Sequence, residues 1–128
     1  MKIDGIAPIL VVDDDRDVRD ALCDTLSDAG YSVTTADSAG NALSYIGANP
    51  MPSLILLDWN MPSMNAAQFM AALEQTPSSA QVPVVLITAD GHIERKVKAA
   101  NFRDGLKKPV DLDKLFKIVE RFASPQRS

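Results

Sequence analysis

A chain of 128 residues with 46% apolar side chains is long enough for one domain with its own core, and a net charge of −4 sets it apart from basic nucleic-acid binders. No apolar run approaches the roughly 20 residues that span a bilayer, and Asp4 interrupts the start before any signal-like apolar stretch, so no membrane contact and a cytoplasmic location are the expectations. Cys23 is the only cysteine, which excludes an internal disulfide and a thiolate metal cluster.

The charge is unevenly spread. Residues 1–90 hold 3 bases and 12 acids, whereas residues 91–128 hold 10 bases and 5 acids. An acidic body with a basic final third implies two different faces, although any single lysine among them is ordinary solvated surface.

Apolar runs alternate with helix-period segments along the chain. Pro8 to Val12 reads as a buried strand. From Asp15 to Ala29, Val18, Leu22 and Leu26 recur every four residues, one face of a helix, with Gly30 as its stop. Tyr31 to Ala36 alternates and is β-branched, as an outer strand would be. Ser38 caps a helix with Ala39, Ala42, Leu43 and Ile46 inward, ended by Pro50 and Pro52. Leu54 to Leu57 is apolar on both faces, the mark of a central parallel strand. A helix over Ala66–Gln75, a loop with Pro77 and a strand over Val82–Ile87 follow. Ile93, Val97 and Ala100 predict a short fourth helix, and Gly105-Leu106-Lys107 a weak fifth strand. Asp111 caps a last helix whose buried stripe is Leu112, Leu115, Phe116, Val119 and Phe122. Five β-α units in series predict an α/β fold, a doubly wound (βα)5 domain whose parallel sheet has the order 2-1-3-4-5. One domain spans 1–128, with its core at about 7–123 and a polar tail at 124–128.

The chemistry sits where the strands end. Ile9-Leu10-Val11-Val12 runs into Asp13-Asp14-Asp15, Leu54-Ile55-Leu56-Leu57 into Asp58-Trp59-Asn60-Met61-Pro62, and Val84-Val85-Leu86-Ile87 into Thr88-Ala89-Asp90, with Lys107-Lys108-Pro109 later. In a parallel sheet these ends share one edge, where open α/β sheets bind ligands. Carboxylates within ~5 Å of one another repel by roughly 3 kcal/mol per pair at an effective dielectric near 20. A hard divalent cation relieves this, and an all-oxygen donor set suits Mg²⁺. Asp58, on the most rigid strand, is the candidate nucleophile, because a carboxylate can attack phosphorus and form an acyl phosphate. The hydroxyl of Thr88 and the ammonium of Lys108 are placed to neutralise phosphoryl oxygens. A cis bond before Pro109 would turn Lys108 into the crevice. Each residue alone has an ordinary reading: a strand-end carboxylate as a helix cap, Thr88 as strand chemistry, Lys108 as a surface lysine. Their order and shared edge favour the functional one.

Asp13-Asp14, Asp58, Thr88 and Lys108-Pro109 together resemble the receiver domain of two-component response regulators, of flavodoxin-like fold, over nearly the whole chain. The segment Asp58-Trp59-Asn60-Met61-Pro62 is similar to that of single-domain chemotaxis regulators. The resemblance implies that Asp58 is phosphorylated by a histidine kinase or a histidine phosphotransfer protein. It implies that Asp13 and Asp14 hold Mg²⁺ with Asp58 and the carbonyl of Asn60. It gives Thr88 and Lys108 the phosphoryl group, and Asn60 and Asp90 the path of the hydrolytic water. The expected output is a change in binding of a downstream protein through the fourth helix, fifth strand and fifth helix, with no DNA-binding output and dimerisation left open. That surface carries Arg95, Lys96, Lys98, Lys107, Lys114, Lys117 and Arg121, which would suit an acidic partner.

Three positions depart from the family pattern. The family usually has an aromatic residue three positions before the conserved lysine, where this chain has Gly105. The stretch from Thr88 to Lys108 is slightly short, so the fourth helix is expected to be trimmed or shifted. A common glycine after the Met-Pro pair is Ala66. Two other readings compete. One is a degenerate receiver acting only as an interaction module. The other is a phosphohydrolase of the haloacid-dehalogenase type using Asp13 and Asp15, against which stand Asp17 and the absence of a cap domain. His92, the only histidine, reads as an exposed polar residue at the start of the fourth helix, and Trp59 as a half-buried residue beside the site.

Overall fold

The computed structural model describes residues 7–61, 64–76, 82–89, 91–100 and 102–123. Its elements alternate strictly: β1 (Ile9–Val12), α1 (Arg16–Asp28), β2 (Val33–Ala36), α2 (Ala39–Ala48), β3 (Leu54–Asp58), α3 (Ala66–Glu74), β4 (Val84–Thr88), α4 (Ile93–Ala99), β5 (Asp104–Lys107) and α5 (Leu112–Ala123). The five strands form one parallel sheet in the order β2-β1-β3-β4-β5.

Side-chain alternation along the strands divides the core into two layers. Leu10, Val12, Ile55, Leu57, Val84 and Leu86 face α2 and α3, where Phe69 and Leu73 close the layer. Ile9, Val11, Leu54, Leu56, Val85 and Ile87 face the other way, onto Leu22 and Leu26 of α1 and Leu115, Ile118 and Val119 of α5. The three inner strands are therefore buried on both sides, which is why they read as unbroken apolar runs.

Local chemistry sets the helix ends. Asp15 caps α1 by accepting from the backbone N–H of Asp17 at 2.9 Å and of Val18 at 3.4 Å. The same helix stops at Gly30, whose φ of 99° suits glycine. Asn65 and Gln68 form a reciprocal capping box at the start of α3. Helix α4 differs: its N-cap, His92, has φ 60° and makes no side-chain cap.

The predicted elements are all present, with shifts at their ends. β2 starts at Val33 rather than Tyr31, and Ala100 caps α4 rather than lying in it. One assignment to the core is overturned. Leu112 is 50% exposed, because it opens α5 beside a surface groove, and the buried stripe is Leu115, Ile118, Val119 and Ala123. The loop with Pro77 and the tail at 124–128 lie outside the described residues.

Candidate functional site

The register aligns the carboxyl ends of the strands. Val12 pairs with Leu57, Asp58 with Ile87, and Thr88 with Lys107. Asp13 thus leaves β1, Asp58 ends β3, Thr88 ends β4 and Lys108 leaves β5 along one edge. The strand order reverses between β1 and β3, so the edge opens into a crevice there.

Asp13, Asp58 and Thr88 are the buried polar and charged residues of the described chain. One oxygen each from Asp13, Asp14 and Asp58 lie within 4.8 Å of one another. Lys108 reaches this group from the far side: its Nζ is 3.0 Å from Asp13 Oδ2 and 3.3 Å from Asp58 Oδ1. The Lys108-Pro109 bond is cis. The backbone N–H of Lys108 donates to the carbonyl of Thr88 at 2.8 Å.

Asp13 is held on both sides. Its Oδ1 accepts from the backbone N–H of Asp15 at 2.9 Å, and its carbonyl accepts from Arg19 Nη1 at 2.9 Å. Asp58 Oδ1 also receives the N–H of Asn60 at 3.5 Å. Burial pushes the Asp58 carboxyl up, and the negative charge of Asp13 pushes it further. Lys108 and the Asn60 N–H act against this, and the balance is a pKa of about 6 against an ordinary 3.8. Burial disfavours the charged form of Lys108, but its contact with Asp13 and the two carboxylate charges outweigh that, so its pKa is raised.

These residues fit a hard divalent cation. Asp13 Oδ2 is buried and accepts no aligned hydrogen bond, although it faces the Lys108 ammonium. A carboxylate in that setting keeps lone pairs for a metal, and an oxygen-only set of three acids is a Mg²⁺ donor set rather than a zinc one.

The structure brings together Asp13, Asp14, Asp58 and Lys108, with Thr88 and Asn60 adjoining them in the chain and register. Asp90 lies outside the described residues. Asp15 is turned to its capping role, which removes it from the acidic group. Sequence reasoning missed Arg19 altogether and, having placed Lys96 on the basic surface, missed its contact with Trp59. Arg19 fixes the Asp13 main chain, and its only signal was a cation in the second turn of a helix that starts at the site. Lys96 of α4 places its ammonium 5.2 Å from the centroid of the Trp59 ring. Nothing in the linear spacing links positions 59 and 96.

Comparisons with known proteins agree with this geometry. Residues 9–120 match the model of the response regulator receiver domain. A 14.6 kDa protein of Leptolyngbya boryana is 36% identical over 116 residues, covering 89% of this chain and 88% of its own length. The phosphate regulon transcriptional regulatory protein PhoB of Escherichia coli (strain K12) is 33% identical over 122 residues, 91% of this chain but 53% of PhoB, so the chain spans about half of that relative. The chemotaxis response regulator CheY4 of Vibrio cholerae superposes with a TM-score of 0.83 at 31% identity, over 92% of this chain and 99% of that one. With the sheet order, the acidic crevice and these matches in agreement, the chain belongs to the response regulator receiver domain family.

Proposed function

We propose that this domain is a phosphorylation-dependent switch that accepts a phosphoryl group on Asp58. The observation that carries the reading is the position of Asp58: buried at the end of the central strand, with Lys108 Nζ at 3.3 Å and two further carboxylates within 4.8 Å. A solvated helix cap has no such company. Receiver domains take their phosphoryl group from histidine kinases and phosphotransfer proteins, and such a protein is the expected donor.

In the proposed step a carboxylate oxygen of Asp58 attacks phosphorus. The phosphorus–nitrogen bond of a phosphohistidine breaks as the acyl phosphate forms, and the leaving imidazole keeps the electron pair and is protonated. Asp13, Asp14, Asp58 and the Asn60 carbonyl would hold Mg²⁺, which supplies charge neutralisation to the phosphoryl oxygens. Lys108 neutralises a second oxygen and Thr88 donates a hydrogen bond to a third. Asn60 borders the path by which water later attacks.

Two surfaces support roles for protein partners. A groove of about 260 Å³ between α1 and the start of α5 is lined by Val18, Leu22, Lys108, Pro109 and Leu112. It shares Lys108 with the acidic crevice, so the donor that reaches Asp58 would cross it. Between α4, β5 and α5, Lys98 and Lys114 border a second cleft of about 260 Å³ with Glu94, Asp104 and Gly105. This basic α4–β5–α5 face is the proposed docking surface for an acidic downstream protein. Reversing the charges of Lys98 and Lys114 should weaken that docking, and rising salt should weaken it further.

The test of the central reading is intact mass after incubation with acetyl phosphate and Mg²⁺. The native chain should gain one phosphoryl group, lose the gain with EDTA, and show none as Asp58→Asn. A folded native chain that gains no mass from acetyl phosphate or from any histidine kinase would overturn it.

A further inference from the structure

Helix α4 is weakly anchored. It spans seven residues, buries no side chain completely, and begins at His92 in the left-handed region, a conformation that costs a non-glycine residue. Two sets of contacts hold it. Ile93 and Val97 rest on Gly105, so closely that an added Cβ there would stand 2.8 Å from Ile93 Cγ1 and 2.9 Å from Val97 Cγ2. Lys96 donates from Nζ to the carbonyl of Gly91 at 2.9 Å and sets the same ammonium 5.2 Å from the Trp59 ring centroid.

Trp59 follows Asp58 directly, and its backbone N–H donates to the Ile87 carbonyl at 2.8 Å. Its ring also meets Phe102 edge-on at 6.5 Å, and the Phe102 N–H donates to the Val97 carbonyl at 3.1 Å. One ring, a single peptide from the candidate phosphoacceptor, thus touches α4 at its middle and where the chain leaves it.

We propose that Lys96 is a positioning residue that couples the phosphorylation state of Asp58 to α4. The proposal rests on the phospho-accepting reading above and names how that site is read. Conversion of the Asp58 carboxylate to an acyl phosphate takes the side chain from about −1 to about −2, adding roughly one negative charge beside a ring whose face holds an ammonium. That ammonium belongs to α4 and also ties down the Gly91 carbonyl at its start, so re-placing it moves the helix and its leading turn together. At Gly105 the contact to α4 is the packing of Ile93 and Val97 on bare backbone, with no β5 side chain to carry a signal there. The coupling therefore needs no side chain at position 105.

The experiment is hydrogen exchange of the segment containing α4 in the native chain, Lys96→Met and Lys96→Arg. Each is measured with and without acetyl phosphate and Mg²⁺, with phosphoryl occupancy read by intact mass in the same samples. Loading should change α4 exchange in the native chain by about fivefold, the factor a single cation–ring contact is worth. Lys96→Met should lose that response at equal occupancy, and Lys96→Arg, which keeps a cation over the ring, should restore it. An unchanged response in Lys96→Met, no α4 response in the native chain, or no rescue by Lys96→Arg would each overturn the proposal. A native chain that acetyl phosphate does not load is loaded from a histidine kinase instead, and failure to gain mass from either donor would remove the phospho-accepting reading beneath the proposal.

Discussion

Lys108 Nζ lies 3.3 Å from Asp58 Oδ1, a contact that joins residues fifty positions apart and sets the electrostatics of the crevice. The pairing is incomplete. One ammonium serves two buried carboxylates, since Asp13 Oδ2 is 3.0 Å away, and the Asp58 carboxyl still ends with a pKa near 6. A site tuned to receive a cation is expected to be poorly balanced without one.

The first prediction follows from that imbalance. The folded-state pKa of Asp58, about 6, lies above its ordinary 3.8. Its contribution to stability is therefore full below about pH 4 and is lost as pH rises through 6. By pH 7 the loss is of the order of 3 kcal/mol at 1.36 kcal/mol per unit. Asp58→Asn removes the charge, so in EDTA at pH 7.5 it should be more stable than the native chain by about 1–3 kcal/mol. The difference should shrink toward pH 4. Urea unfolding of both proteins across this range measures it, and a pH-independent difference would contradict the assignment.

Lys108 works in the opposite sense. Its raised pKa means that its contribution is present throughout the neutral range and is lost only as pH climbs through that raised value. Lys108→Met leaves Asp13 and Asp58 facing each other without a cation. In EDTA at pH 7.5 this variant should be destabilised by up to about 3 kcal/mol, the low end for a buried pair that loses one partner, because the Lys108 side chain is 21% exposed. Millimolar Mg²⁺ should restore more stability to it than it adds to the native chain. Thermal unfolding with and without Mg²⁺ gives both numbers, and equal Mg²⁺ shifts in the two proteins would count against carboxylates as the metal's ligands.

These charges explain what was legible in the sequence. Inner strands buried on both faces must be continuous apolar runs, so β1, β3 and β4 announced themselves, and strand-end residues then had to share an edge. That placed Asp13, Asp58, Thr88 and Lys108 together, while their proposed roles came from their chemistry and the family resemblance. Contacts set by tertiary packing left no linear trace. The Lys96–Trp59 contact depends on how far α4 leans over the sheet, which the short stretch after Thr88 hints at without fixing. Leu112 misled because helical periodicity gives a face but not where a helix begins to overhang the sheet. Arg19 looked like a surface cation because its acceptor is a backbone carbonyl, and main-chain partners are invisible to side-chain patterns.

The exposure of Leu112 separates stability from transfer. At 50% exposed, its replacement by Arg should change stability by less than about 0.5 kcal/mol, whereas Leu115→Ala, fully buried, should cost about 2–5 kcal/mol. Phosphoryl uptake by Leu112→Arg from acetyl phosphate should match the native chain, because small donors do not need the groove. Transfer from a histidine kinase that labels the native chain should slow by tenfold or more, an effect of about 1.4 kcal/mol. Equal rates from the protein donor would place its docking surface elsewhere.

Gly105 tests how α4 is seated. Glycine in a strand interior ordinarily costs roughly 0.5–1 kcal/mol relative to alanine, so Gly105→Ala would stabilise the strand if space allowed. Space does not allow it: the new Cβ meets Ile93 Cγ1 at 2.8 Å, Ile93 Cδ1 at 2.9 Å and Val97 Cγ2 at 2.9 Å. Gly105→Ala should therefore destabilise the domain by about 1–3 kcal/mol, the cost of overpacking. Gly105→Tyr should lift α4 from the sheet and increase exchange of its amides. In the background of Ile93→Ala the cost of Gly105→Ala should fall by at least about 1 kcal/mol, as expected for residues in direct contact. A double-mutant cycle in urea measures that coupling, and independent effects at the two positions would show that α4 does not bear on β5 as the geometry describes.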